Sequence, residues 1–236
     1  MKISYCKFTA FSFSLMFALL LKPYLVAGNE APFQRNSLID TINSDIQLIV
    51  SIEDRKLHVY KRSIHIASYS VAVGKDEYPT PRGDLFITQI DVNPEWVPPA
   101  SEWAAGRTYK RPGHPENPLS LVRMHLNDEY RVHGTLDHWS VGRKASRGCI
   151  RLKNTEIMKL TRVILRYSEV ENHRSVFQQA EATPYRMIQV DLPQPVLLSV
   201  YDNMRYVPKR LFNSEKADTF TNRKHIAGRT ISSTLR

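Results

Sequence analysis

Cys149 stands among small and basic residues in the stretch "ASRGCIRL", residues 145–152. A cysteine acts as a nucleophile when its thiol ionises and a base lies close enough to take the proton. No acidic residue occurs between His138 and Thr155, whereas five arginines and lysines do, and nearby positive charge favours the ionised thiol. We therefore interpret Cys149 as a candidate nucleophile, against the alternative of a buried, inert cysteine.

The base for such a thiol would be a histidine within reach. His133 ends an apolar, strand-like segment and directly precedes Gly134, and a strand end followed by glycine is a place where a scaffold presents a catalytic side chain. The remaining histidines of this region are expected on the preceding strand, in the following loop or at the surface: His125, His138, His58 and His65. His133 is therefore the preferred base.

Gly148 directly precedes the cysteine and allows the unusual backbone dihedral angles of a sharp turn. A turn at this point would direct backbone N–H groups toward one position, as an oxyanion hole requires. A zinc site built from Cys149 and the neighbouring histidines is an alternative, but the chain contains no H-E-x-x-H and no C-x-x-C motif. We predict no metal.

The N-terminus has the pattern of a secretory signal peptide. Two lysines precede an uncharged run from Phe8 to Leu21, and small residues follow near Gly28. We predict a signal peptide at residues 1–28, with an uncleaved membrane anchor as the alternative. Removing this segment leaves Cys149 as the sole cysteine, which cannot form an internal disulfide in an oxidising compartment.

The basic charge is concentrated at the two ends of the chain. The formal net charge is +10; the signal region carries three lysines and the tail from residue 203 carries a net +6, which leaves +1 for residues 29–202. This distribution argues against a polybasic nucleic-acid binder. We interpret the tail as a solvated extension, with contact to a wall or membrane surface as the alternative.

Short runs rich in Ile, Val and Tyr dominate residues 45–90, and the turn-like segments "EDRK" and "KRS" interrupt them. This pattern predicts a meander of antiparallel strands. Two further strands, "LVRMHL" and "YRVHGT", flank "NDE", and "TPYRMIQVDL" provides a last strand. The segment 91–120 has six prolines and two tryptophans, and we expect a structured flap there.

The segment "NTEIMKLTRVILRY" predicts a helix that is capped by Asn154 or Thr155. Its apolar stripe is expected to pack in the core: Ile157, Leu160, Val163, Ile164 and Tyr167. We place a linker at residues 29–44, the catalytic domain at residues 45–192 and a C-terminal extension at residues 193–236, with the basic tail from about residue 203.

The constellation resembles the active-site signature of the L,D-transpeptidase (YkuD-type) catalytic domain family, in its periplasmic branch. "HGT" at residues 133–135 is followed, sixteen residues after His133, by Cys149 within "SRGCIR". Arg147 stands where the family has a second histidine. Other segments similar to the family are "TPRGDLF" at 80–86, "NPEWVPP" at 93–99 and "NPLS" at 117–120.

The resemblance implies a mainly β fold, a β-sandwich-like mixed sheet with one or two short helices. It also implies an enzyme that acts on peptidoglycan stem peptides, needs no cofactor, and is located in the periplasm or exported to the cell envelope. The thiolate attacks the third-residue carbonyl of a tetrapeptide stem, D-alanine leaves, and an amine acceptor resolves the thioester. That acceptor would be another stem peptide, giving a 3→3 cross-link, or a wall-anchored lipoprotein.

The residue roles follow from the same resemblance. Cys149 is the nucleophile, and His133 is the base, oriented by the Gly134 carbonyl. The oxyanion and substrate-binding group comprises Ser146, Arg147, Gly148 and Arg151, with Arg123 and Arg131 as further candidates for binding a stem-peptide carboxylate. No nucleic-acid partner is expected, and a membrane contact is expected only through an uncleaved signal.

Two alternatives stay open at the level of sequence. A carboxypeptidase or peptidase would hydrolyse the same thioester with water, and the difference would depend on how far the flap excludes water. A non-catalytic wall-binding protein would use the basic tail instead of the cysteine.

Overall fold

The structure, a computed structural model, describes residues 45–207 of the 236-residue chain. Within this range the chain forms ten strands and two α-helices. In chain order these are β1 (Ile46–Ser51), β2 (Lys56–Lys61), β3 (Ile64–Ser70), β4 (Val73–Gly74), β5 (Gly83–Val92), β6 (Val122–His125), β7 (Arg131–Thr135), β8 (Lys144–Ser146), β9 (Ile150–Lys153), α1 (Asn154–Tyr167), α2 (His173–Ala182) and β10 (Ile188–Tyr201). The predicted signal peptide and linker, and the tail beyond residue 207, lie outside the described residues.

Eight of these strands form one mixed sheet in the order β3-β2-β1-β10-β5-β6-β7-β9, and β4 pairs with β8 in a small second sheet. The pairs β1–β10 and β7–β9 are parallel, and the other pairs of the large sheet are antiparallel. The expected mainly β fold with a mixed sheet and one or two short helices is confirmed. The predicted meander is β1–β2–β3, where Arg55 adopts a positive φ in the first turn.

Strand β10 corrects the predicted end of the domain. It continues beyond Leu192 to Tyr201 and lies in the centre of the sheet, between β1 and β5. Two prolines, Pro193 and Pro195, interrupt the strand pattern in the sequence, but the register of β10 against β5 shifts between Asp191 and Val196 and so accommodates them. Residues 193–201 therefore belong to the domain.

Helix α1 packs on the strands that carry the candidate site. Its side chains Ile157, Leu160 and Ile164 are fully buried against β6, β7 and β9, as the apolar stripe predicted. Neither Asn154 nor Thr155 caps the helix, because Lys153 occupies the N-cap position and makes no side-chain capping bond. Asn154 is instead the first helical residue, and its Oδ1 is buried.

The flap, residues 93–121, connects β5 to β6 and starts later than expected because β5 continues through Val92. It has its own hydrogen bonds. Asn117 is 1% exposed and donates from Nδ2 to the Pro94 carbonyl at 2.7 Å. Trp96 and Lys110 exchange two backbone hydrogen bonds of 2.8 and 2.9 Å. The expected structured flap is therefore present.

Gly134 lies on β7 beneath the first turn of α1, and a Cβ atom there would lie 2.6 Å from Asn154 Oδ1 and 3.3 Å from Ile157 Cγ2. We expect Gly134→Ala to lower the free energy of unfolding by about 1–3 kcal/mol, because an added methyl group overpacks this contact. Urea denaturation of the variant and the unsubstituted protein measures the difference.

The matched variant is Asn154→Ala, which removes the crowded oxygen. This oxygen has no hydrogen-bond partner among the described residues, so we expect Asn154→Ala alone to change stability by less than about 0.5 kcal/mol. Combined with Gly134→Ala, it should recover about half of the loss or more. Equal losses in the single and the double variant would contradict this packing account.

Candidate active site

Cys149 immediately precedes β9 and is partly buried. It lines a cavity of about 520 Å³ whose other walls come from the flap, the β6–β7 turn and strand β7. His133 lines the same cavity, so the structure brings the two principal candidates together. The other histidines lie elsewhere: His58 and His65 occupy β2 and β3 at the far end of the sheet, and His138 is exposed.

His133 is 5% exposed, and its Nδ1 lies 2.6 Å from the carbonyl oxygen of Gly134. A carbonyl can only accept a hydrogen bond, so Nδ1 carries the proton and donates it. The neutral ring then has its acceptor at Nε2. The Gly134 carbonyl is the orienting group that the resemblance implies, and it leaves His133 able to take a proton.

A row of ionisable side chains crosses four neighbouring strands. In the sheet register Asp91 faces Arg123, Arg123 faces His133, and His133 faces Arg151. Asp91, 1% exposed, accepts hydrogen bonds on Oδ2 from Arg123 Nε at 2.7 Å and from His125 Nε2 at 2.7 Å. His133 therefore lies between two guanidinium groups, only one of which has a carboxylate partner in this row.

These surroundings keep His133 neutral. Burial lowers the pKa of His133, and the positive charges of Arg151, Arg123 and Arg131 lower it further, to about 4. The hydrogen bond to the Gly134 carbonyl acts in the opposite direction but does not outweigh them. The imidazole is accordingly unprotonated near neutral pH, which is the form a general base requires.

The thiol of Cys149 differs from the sequence-based expectation. Its burial raises the pKa, whereas a backbone hydrogen bond from Arg131 and the charges of Arg151 and Arg131 lower it. Burial outweighs the positive charges, so the net shift of the pKa is upward. The resting thiol is therefore protonated: positive charge favours the ionised form, as expected, but it does not outweigh the burial of the sulfur.

The turn before Cys149 is held by Ser146, which is fully buried. Its Oγ donates to the Cys149 carbonyl at 2.5 Å and accepts the N–H of Gly148 at 3.1 Å. Gly148 has a φ of +97°, and a Cβ there would lie 2.4 Å from the ring of Tyr130. The sharp glycine turn is present, and the Gly148 N–H is donated to Ser146.

The arginines of the cavity are not equivalent. Arg131 donates to the backbone carbonyls of the β6–β7 turn, at Tyr130 (2.9 Å) and Asp128 (2.8 Å), and Arg123 is paired with Asp91. Arg151 has a buried Nε without a hydrogen-bond partner among the described residues. Of these three side chains, Arg151 is the one whose hydrogen-bonding capacity remains for a ligand.

Arg147 lies at the rim of the cavity and is exposed. The central carbon of its guanidinium group lies 4.6 Å from the centre of the Trp103 ring in the flap. The guanidinium of Arg147, a candidate for the oxyanion hole in the sequence, thus lies over an aromatic ring of the flap.

Three residues of the site were missed in the sequence: Asp91, Trp103 and Tyr130. Asp91 follows an apolar strand segment, but its partner Arg123 is 32 residues away in sequence, so no local pattern indicates the pair. The two tryptophans of the flap were a usable signal for Trp103. Tyr130, in the β6–β7 turn, lies against Gly148, and its sequence neighbours give no indication of this.

Between residues 45 and 207, no three His, Cys, Asp or Glu side chains converge as a set of metal ligands. None of the helices in this range has the length and the apolar character that a membrane span needs.

Comparison with known proteins identifies relatives of this chain. The YkuD protein of Bacillus licheniformis, which carries an L,D-transpeptidase name, is 32% identical over 118 residues, or 50% of this chain and 59% of its own length. The ErfK/SrfK protein of Salmonella typhimurium, also named as an L,D-transpeptidase, is 30% identical over 137 residues. The alignment covers 54% of this chain and 43% of that protein. The chain thus spans about half the length of these relatives.

Among solved structures, an L,D-transpeptidase from Mycobacterium smegmatis aligns with 67% of this chain and 59% of its own, at 15% identity and a TM-score of 0.40. The family model of the L,D-transpeptidase catalytic domain (YkuD) matches residues 45–171, a segment that includes both His133 and Cys149. Because this match spans more than half of the 236 residues, the chain belongs to the L,D-transpeptidase (YkuD) catalytic domain family.

Proposed function

We propose that this protein is a cysteine-dependent L,D-transpeptidase of peptidoglycan stem peptides. One observation carries the proposal: Cys149 shares a cavity with a buried, neutral histidine whose Nδ1 is held by a backbone carbonyl. A thiol and an oriented base in one cavity are what acyl transfer to a thiol requires. The predicted signal peptide further supports action in the periplasm or cell envelope.

In the first step the thiol sulfur of Cys149 attacks the carbonyl of the third stem residue, and His133 Nε2 takes the thiol proton. Both groups are neutral at rest, so the thiol has to lose its proton to His133 in the course of this step. His133 then passes the proton to the nitrogen of the departing D-alanine. The C–N bond breaks, and a thioester to Cys149 remains.

Arg151 is suited to the carboxylate of the departing D-alanine. Its guanidinium lines the cavity and carries a buried Nε without a partner among the described residues. A carboxylate in the cavity would accept a charge-assisted hydrogen bond from the accessible part of this guanidinium, because Arg151 is partly exposed. With the Gly148 N–H engaged by Ser146, the backbone N–H of Cys149 is the remaining candidate donor to the oxyanion.

In the second step an amine of the acceptor attacks the thioester carbonyl, an amide forms and the thiol is restored. A second stem peptide or a lysine of a wall-anchored lipoprotein would supply this amine. Hydrolysis by water would instead release a tripeptide and make the protein a carboxypeptidase.

The first test incubates the purified protein with disaccharide-tetrapeptide and follows the products by mass spectrometry. We expect a cross-linked dimer that has lost one D-alanine. It should be absent with Cys149→Ala, and its rate of formation should fall by about 10²–10⁴-fold with His133→Ala. Tripeptide without dimer would favour hydrolysis or a missing acceptor, and products unaffected by Cys149→Ala would refute the assignment.

A second prediction concerns the ionisation of the resting thiol. Because burial raises the pKa of Cys149, the rate of its alkylation by iodoacetamide should rise about tenfold per pH unit from pH 6 to 8, without levelling off below pH 9. A Cys6→Ser background makes the label report Cys149 alone. A plateau between pH 5 and 8 would instead indicate a preformed thiolate–imidazolium pair.

A third prediction concerns the terminal carboxylate. The unsubstituted protein should prefer a tetrapeptide with a free C-terminus over the C-terminal amide by about 10–100-fold in kcat/KM, as expected for a hydrogen bond to a charged group. Arg151→Gln should lose most of this preference. The matched control is Arg143→Gln, an exposed arginine that precedes β8 and does not line the cavity, which should keep it. An unchanged preference in Arg151→Gln would exclude this role.

A further inference from the structure

Arg147 connects the loop of the nucleophile to the flap. Its guanidinium carbon is 4.6 Å from the centre of the Trp103 ring, and the guanidinium carbon of Arg107 is 5.7 Å from the same ring. Arg147 is two residues before Cys149, whereas Trp103 belongs to the short 3-10 helix Glu102–Ala104 of the flap. All three side chains line the cavity that contains Cys149.

The two guanidinium groups hold Trp103 by contacts that persist at every working pH. Arginine remains protonated in proteins, and its planar group stacks on the face of an indole, the aromatic ring that attracts cations best. The backbone beneath the ring is compact as well: the Ala104 N–H donates to the Ser101 carbonyl at 3.0 Å, and the Arg107 N–H donates to the Ala104 carbonyl at 3.0 Å. Trp103 therefore forms a fixed part of the cavity wall.

The base of the flap is secured independently of Arg147. Asn117 bonds to the Pro94 carbonyl, and Asn93 donates from Nδ2 to the carbonyl of Ala180 in α2 at 2.9 Å. Among the described contacts that involve Trp103, the stack on Arg147 is the one that reaches the nucleophile loop. Loss of this stack would release the flap from that loop without unfolding its base.

We propose that the Arg147–Trp103 contact is a specificity-determining clamp, which limits the access of water to Cys149 and so favours transfer of the acyl group to an amine. This inference rests on the proposed function.

The thioester intermediate can react in two ways. In transfer the acceptor nitrogen forms an amide with the acyl carbon, the C–S bond breaks, and a proton from nitrogen returns to sulfur through His133. In hydrolysis a water oxygen replaces the nitrogen and a carboxylic acid leaves.

The test compares the ratio of tripeptide to cross-linked dimer at one fixed acceptor concentration. Arg147→Gln and Trp103→Leu should each raise this ratio about three- to tenfold, the range expected for losing one cation–π contact. Trp103→Phe retains a ring and Arg147→Lys retains a cation, so both should raise it less. Arg143→Gln removes the same charge from the same loop without an aromatic contact and should leave the ratio unchanged.

The double variant Arg147→Gln/Trp103→Leu distinguishes a shared contact from two separate effects. If the two side chains act through their contact, the double variant should have the ratio of the more affected single variant, not the product of both increases. A double variant whose tripeptide-to-dimer ratio equals the product of the two single increases would overturn the clamp. The clamp would also be overturned if both single variants still formed the thioester but left this ratio unchanged.

A second measurement is independent of the proposed reaction. The clamp predicts that Arg147→Gln and Trp103→Leu each increase the rate at which N-ethylmaleimide alkylates Cys149 by about three- to tenfold. Arg147 is not among the charges that act on the pKa of Cys149, so an increase would report access rather than ionisation. Unchanged alkylation in both variants would overturn the clamp even if the protein formed no thioester. Faster alkylation of variants of a protein that forms no thioester would support the clamp and would contradict only the proposed function.

Discussion

The burial of His133 between two guanidinium groups is the constraint on which the rest of the site depends. An imidazole removed from water beside Arg123 and Arg151 cannot hold a second proton near neutral pH, so it is neutral. A neutral imidazole has one donor and one acceptor, and the Gly134 carbonyl takes the donor. Asp91, on the next strand, supplies a carboxylate that pairs with Arg123 and offsets part of this positive charge. Burial raises the pKa of Asp91, but the hydrogen bonds from His125 and Arg123 outweigh it and keep the carboxylate ionised.

The sheet order explains how this arrangement is reached. The row from Asp91 to Arg151 exists because β5, β6, β7 and β9 are neighbours in register. Parallel pairing of β7 with β9 requires a long connection, since a tight hairpin can join only antiparallel strands. That connection, residues 136–149, includes β8, which pairs with β4 and ends in the turn stabilised by Ser146. The thiol therefore lies at the end of a crossover that the topology demands.

The sequence alone predicted much of this and failed where the outcome depended on distant residues. Alternating apolar runs predicted the meander, and residue types with spacing singled out Cys149 and His133, which the structure places in one cavity, because both signals are local. The position of β10 could not be predicted, since Pro193 and Pro195 have the appearance of a strand end until the register shift is seen. The direction of the pKa shift of Cys149 was also inaccessible, because it results from a balance between burial and charges that only the folded chain sets.

The central place of β10 has a consequence for the order in which this protein can assemble. Synthesis delivers the chain from its N-terminus, yet the strand that joins the two halves of the sheet ends only at Tyr201. Until that strand arrives, β1 and β5 both present an open edge, and open edges invite pairing with other chains. The contacts between β10 and the early strands also span most of the sequence, which slows their formation. The fold can therefore close only after nearly the whole domain has emerged, so Cys149 and His133 are brought into a finished sheet late.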